Sequence, residues 1–198
     1  INSRRRACDE AASNTFRAVS SPACSQRPEP GSRSAQFSTG GTDGEWFLSD
    51  QFDFTAYDAA DFATAESQPD GLLRLLANHN EAWLFGVRTT EVWQQTASVF
   101  PFDPIPGSQM DRGIAAPLSA ALMDNSVFWL GDDRIVYRAN GYTPQRISDF
   151  AIEEILRSGT VSDAEANTHA IAGHHFYVLK LPTLDRTIVY DAATNRWH

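Results

Sequence analysis

One pattern recurs three times along this chain, and it narrows the available folds more than any other feature. "LLRLLANHNEAWLFGVRTTEVWQQT" reads as strand, polar turn, strand, tight turn at Gly86, and a strand ending at Trp93. "LSAALMDNSVFWLGDDRIVYRANGY" repeats the order, with Gly131 at the second turn and Tyr137 near the end. "AIAGHHFYVLKLPTLDRTIVYDAATNRW" repeats it again, with Pro182 at the turn and Tyr190 near the end. Gly86 to Gly131 is a step of 45, Trp93 to Tyr137 one of 44, and Tyr137 to Tyr190 one of 53. Repeats of about 40–50 residues, each of three or four short strands, are the signature of β-propeller blades.

The middle strand of each repeat is a nearly continuous apolar run: "AWLFG", "VFWLG" and "FYVLKL". Such runs suit strands buried on both faces, as in stacked sheets. An all-β chain of propeller-like blades is therefore expected, the alternative being ordinary antiparallel meanders in a sandwich. Trp83, Trp93, Trp129, Tyr137 and Tyr190 recur at repeat positions and are expected between blades, where aromatics fill the core. The longer step, from the second repeat to the third, holds "RISDFAIEEILRSG", which predicts one short helix within 148–157. Ser148 is the expected N-cap, Ile147 and Ile152 have hydrophobic-staple spacing, Arg157 falls in the last turn and Gly159 follows as a terminator.

Upstream, "EWFLSD" reads as a short strand around Trp46, where order is expected to begin. "QFDFTAYDAADFATAESQPDG" reads as a long loop with a turn or short helix. Residues 42–198 thus form about three blades and a partial one. A propeller closes by joining its first and last blades, so these blades are expected to be a piece of a larger propeller. Residues 1–41, rich in Ser, Arg, Gly and Pro, read as a loop, linker or disordered tail.

Net charge is −9 and unevenly placed. Residues 1–41 carry six arginines against three acidic residues, a net of +3; the remainder has 10 basic and 22 acidic residues, a net of −12. An acidic body repels a phosphate backbone and argues against non-specific nucleic-acid binding by it. No apolar run reaches the roughly 18 residues of a membrane-spanning helix. Cys8 and Cys24 both fall in the tail, without neighbouring histidines that would make a zinc site, and are read as thiols of a flexible segment.

The candidates for chemistry are few. His174 and His175 are adjacent at a strand start, so they point to opposite faces. His169 with one of them supplies two metal ligands, with no third carboxylate in view. Asp132 and Asp133 follow Gly131 as hairpin-turn residues, and Asp191 is expected to bond turn amides in an Asx-turn. Glu91 sits on a strand as an inward polar group without a catalytic partner. No nucleophile elbow, phosphate-binding glycine loop or HExxH motif is present. No catalytic residue, metal ligand or cofactor is assigned.

Several ungapped segments resemble a known family. "SDQFDFTAYDAADFATAESQPDGL", "AWLFGVRTTEVWQQT", "NSVFWLG", "GYTPQRISDFAIEEIL" and "GHHFYVLKLPTLDRTIVYDAATNRWH" together look like the packaged-DNA stabilisation proteins of short-tailed phages, over Trp46 to His198. The resemblance implies a non-enzymatic, β-propeller-like virion component at the head–tail junction. It implies assembly as a homo-oligomeric ring that closes the channel between the portal and adaptor proteins and the tail needle. Packaged double-stranded DNA would pass nearby without specific binding. The competing class is a propeller module that binds or hydrolyses a glycan or small molecule.

Overall fold

The computed structural model describes residues 37–40, 44–50, 53–65, 70–97 and 100–198. They form four antiparallel sheets. The first contains β1 (Phe37–Gly40), β2 (Glu45–Asp50) and β3 (Asp53–Thr64), paired in that order. The second contains β4 (Leu72–Asn78), β5 (Glu81–Gly86), β6 (Thr90–Gln95) and β7 (Phe102–Pro104). The third contains β8 (Ala121–Met123), β9 (Ser126–Leu130), β10 (Val136–Asn140) and β11 (Thr143–Arg146). The fourth contains β12 (Glu165–Ile171), β13 (His174–Leu181), β14 (Arg186–Asp191) and β15 (Arg196–Trp197). Each sheet is a meander of sequential neighbours, as in a propeller blade.

The three expected repeats are the three four-stranded sheets, and the partial one is the first. Two expectations fail there. The segment read as a long loop after Asp50 is largely β3, twelve residues paired to β2 with register shifts at Ser49. Strand also begins before Trp46: Phe37–Gly40, inside the segment read as tail, pairs antiparallel with Glu45–Leu48. The rest of that tail, residues 1–36 with both cysteines, lies outside the described residues.

The sheets stack face to face, and period-two alternation assigns each strand's side chains to two cores. Along β5, Ala82 and Leu84 face the first sheet, where they meet Trp46 and Leu48; Trp83 and Phe85 face the third. Along β9, Val127 and Trp129 meet Trp83 and Phe85, while Phe128 and Leu130 turn toward Tyr177, Leu179 and Leu181 of the fourth sheet. Two-sided burial is why β5 is apolar from Ala82 onward and β9 from Val127 onward. The five repeat aromatics, Trp83, Trp93, Trp129, Tyr137 and Tyr190, are all buried in these layers, as expected.

β13 departs from that expectation. Tyr177, Leu179 and Leu181 are buried, but Phe176 and Val178 are only half-buried and Lys180 is exposed. Among the described residues, no further sheet covers its second face.

The turns explain the spacing. Asp124 and Asn125 join β8 to β9 with φ of 51° and 53°, and Ala172 and Gly173 join β12 to β13 with φ of 51° and 84°. Two positive values are the mark of a tight hairpin turn whose twist matches the strands.

The insertion is helix α1, Phe150–Arg157. It presses Ile152 and Leu156 onto the core between the third and fourth sheets. Its N-cap is Asp149, one residue later than expected, accepting from the Ile152 amide. Ser148 is occupied elsewhere: its Oγ accepts from Val136 N at 3.1 Å and donates to Glu153 at 3.0 Å. The C-cap is Ser158. Gly159 follows at a close approach instead of a left-handed stop, since a Cβ there would lie 2.6 Å from Leu184 Cδ2. The closing group is Arg134, which donates to the carbonyls of Leu156, Arg157 and Gly159.

Candidate functional site

The residues singled out for chemistry are dispersed. Among the described residues no three His, Cys, Asp or Glu side chains converge on a common point. His174 lies with Nδ1 2.7 Å from Asp191 Oδ2 and stacks on Phe176. A carboxylate partner for one histidine therefore exists, contrary to expectation. Asp191 is nonetheless committed to its turn: it accepts from Ala193 N and from the Thr194 hydroxyl, as the Asx-turn expectation required. Burial works to raise its pKa, but the hydrogen bonds from Thr194, His174 and Ala193 prevail and hold it below the ordinary carboxylate value. His169 pairs with Phe176 in the ladder, whereas His175 pairs with Ala170 and points to the opposite face from His174.

Asp132 and Asp133 are turn residues, as expected. Asp132 Oδ1 accepts from Gly113 N, and Asp133 accepts from Ile135 N and from the Tyr137 hydroxyl at 2.6 Å. Burial, and then that bond, push the Tyr137 hydroxyl up to about 12.

A recurring device was not anticipated. Asp70 stands two residues before β4 and reaches across to the β5–β6 turn, accepting from Arg88 N, Thr89 N and the Thr89 hydroxyl. Asp163 stands two residues before β12 and accepts from Thr183 N and the Thr183 hydroxyl in the β13–β14 turn. Those bonds, the hydroxyl's first, lower its pKa. Ser119, two residues before β8, accepts from Leu130 N at the end of β9. Each four-stranded sheet is thus tied from its entry to its far end by a short oxygen-bearing side chain. Gly86 belongs to the same device, because a Cβ there would meet Asp70 Oδ2 at 2.6 Å. The legible signal is an acidic residue two places before a strand with a threonine 19 or 20 residues on.

A groove lies between the first two sheets, with a volume of about 550 Å³. Trp46, fully buried, anchors its aromatic wall, meeting Trp93, Phe100 and Phe102 edge-on at 5.3 to 5.6 Å. Phe62 from β3, 46% exposed, forms the opposite lip beside Phe47. Glu91, buried and accepting from Trp93 Nε1 at 3.2 Å, and Asp103, exposed on β7, bring two carboxylates to the lining. Glu91 is the inward polar group expected from the sequence; Phe62, Phe100 and Asp103 were not expected to share a site.

Stacked four-stranded meanders, tied at their turns and offering no converged catalytic set among the described residues, define a blade-built protein of the β-propeller class. The family model described as "Bacteriophage P22 Gp10, beta-propeller" matches residues 9–198. The chain belongs to that family of phage stabilisation proteins, and so is a structural protein associated with the virion. No curated protein matches the chain. The match extends the resemblance, which ran from Trp46, into the N-terminal segment.

Proposed function

We propose that this protein closes the channel at the head–tail junction of a phage particle and retains the packaged DNA, working through protein contacts and not through catalysis. The family match along residues 9–198 carries this reading. Stabilisation of a particle holding DNA under pressure calls for a plug, and sheets fused into layered cores make a stiff one. Copies of the chain form a ring between portal and adaptor proteins above and the tail needle below. The charge is suited to this position. With a net −12 on residues 42–198, the wall repels the duplex. DNA then slides past on ejection, where a basic lining would hold it.

The test is complementation. Heads filled with DNA but lacking this protein are mixed with the purified full-length protein, and DNA retention is measured by nuclease protection. Retention should rise to a plateau at a fixed number of copies per portal. Equal leakage with and without the protein would refute the closure function.

A further inference from the structure

We propose that the groove between the first two sheets is a receptor for an arginine or lysine side chain presented by a partner protein. The inference rests on the groove itself and holds whether or not the protein closes a channel.

Three observations converge. The walls are aromatic: Phe62 and Phe100 flank the opening and Trp93 lies behind them. Aromatic faces attract a cation through their ring quadrupole, arginine most often. Among the described lining residues there are two carboxylates and no basic side chain: Glu91 already holds the Trp93 indole N–H, and Asp103 lies exposed. A carboxylate next to an aromatic wall suits a guanidinium, which can stack with its face and donate with its edge. At about 550 Å³ the space admits a long side chain together with the backbone that bears it. Phe62, 46% exposed, leaves the opening accessible.

The charge also selects among occupants. An acidic groove on a chain of net charge −9 disfavours acidic peptides and phosphates and favours a basic segment. A neutral glycan would use the aromatic faces and donate hydroxyls to the carboxylates, but it brings no positive charge to meet theirs. Residues 42–198 of a second copy, at net −12, would bring more acid than base.

The experiment follows the indole N–H of Trp93 by two-dimensional NMR in the full chain, since this group donates to Glu91 within the groove. The probe is acetyl-Gly-Arg-Gly-amide; the control is the same peptide with neutral, isosteric citrulline. The arginine peptide should shift the resonance saturably, with Kd on the order of 1 mM for so small a ligand. Citrulline should bind at least about tenfold more weakly. Asp103→Asn and Phe62→Ala, both at exposed positions, should each weaken binding by roughly 3- to 10-fold with the far-ultraviolet circular dichroism of the parent retained. Added salt should weaken it further.

Equal binding of the arginine and citrulline peptides would overturn the proposal, as would failure of the arginine peptide to shift the resonance saturably. So would arginine binding that neither variant alters. Shifts produced by cellohexaose and insensitive to Asp103→Asn would reassign the groove to carbohydrate. Shifts that depend on protein concentration without peptide, and vanish in Asp103→Asn, would reassign it to a second copy.

Discussion

Replacing Trp129 with alanine and with phenylalanine should give very different results. Trp129 is wholly buried between the second and third sheets, 5.6 Å from the Phe85 ring and 5.7 Å from Tyr137. Its Nε1 has no hydrogen-bond partner. Trp129→Ala empties a rigid layer clamped between two sheets, so the cost should be about 3–5 kcal/mol. Trp129→Phe removes roughly 40 Å³, worth about 1 kcal/mol at ~24 cal/mol per Å³ of cavity. It also removes a buried, unsatisfied donor, whose desolvation costs about 1–3 kcal/mol. These contributions oppose each other. The phenylalanine variant should fall within about 1 kcal/mol of the parent. Urea unfolding followed by far-ultraviolet circular dichroism supplies the comparison, provided the slopes agree. A phenylalanine variant as damaged as the alanine one would refute the reasoning about the stranded N–H. An alanine variant losing under about 1 kcal/mol would refute the layer itself.

The remaining predictions concern turns, helix and pH. Gly86→Ala should destabilise by about 1–3 kcal/mol, because the new methyl displaces Asp70 from its three bonds; in an Asp70→Ala background the same change should cost far less, a coupling that a double-mutant cycle reads directly. Arg134→Ala should cost about 1–3 kcal/mol and speed amide exchange in the last turn of α1, where three carbonyls lose their donor. Asp163 and Asp191 are both held below the ordinary aspartate value, so the unfolded chain binds protons more readily than the folded one as acid is added. Their contribution is therefore complete above about pH 4 and is lost as pH falls below it. Thermal midpoints between pH 6 and pH 3 should fall less steeply in Asp163→Asn and in Asp191→Asn than in the parent.

The blades were legible because burying both faces of a strand leaves no room for polar residues. That is why "AWLFG" and "VFWLG" announced themselves as interior strands. β13 has a similar composition, yet only one of its faces is buried, and "FYVLKL" alternates where Lys180 and Val178 turn outward. β3 was missed because Asp and Ala have low strand preference, and pairing to β2 overrides it. The helix was placed correctly, but Ser148 and Asp149 are both competent caps. Sequence alone does not reveal that Val136 and Glu153 claim Ser148. The Asp70 and Asp163 ties carry a readable spacing, a threonine 19 or 20 residues on, which only the folded turns give a meaning. The groove carried none, since Phe62 and Asp103 are 41 residues apart in sequence and meet only because two sheets stack.

Alternation along β5 and β9 also governs which changes of chain length the protein can absorb. Adding one residue inside β9 would send Trp129 into the layer built for Phe128 and Leu130, exchanging two cores at once. Length can change only where parity does not matter. The stretch between β11 and β12 is such a place: it holds all of α1, and the second repeat step is 53 residues where the first is 44 or 45. A whole helix fits there, while the strands on either side keep their inward and outward positions. Drift in length among relatives should therefore concentrate in such crossovers between sheets, leaving the strands countable in twos.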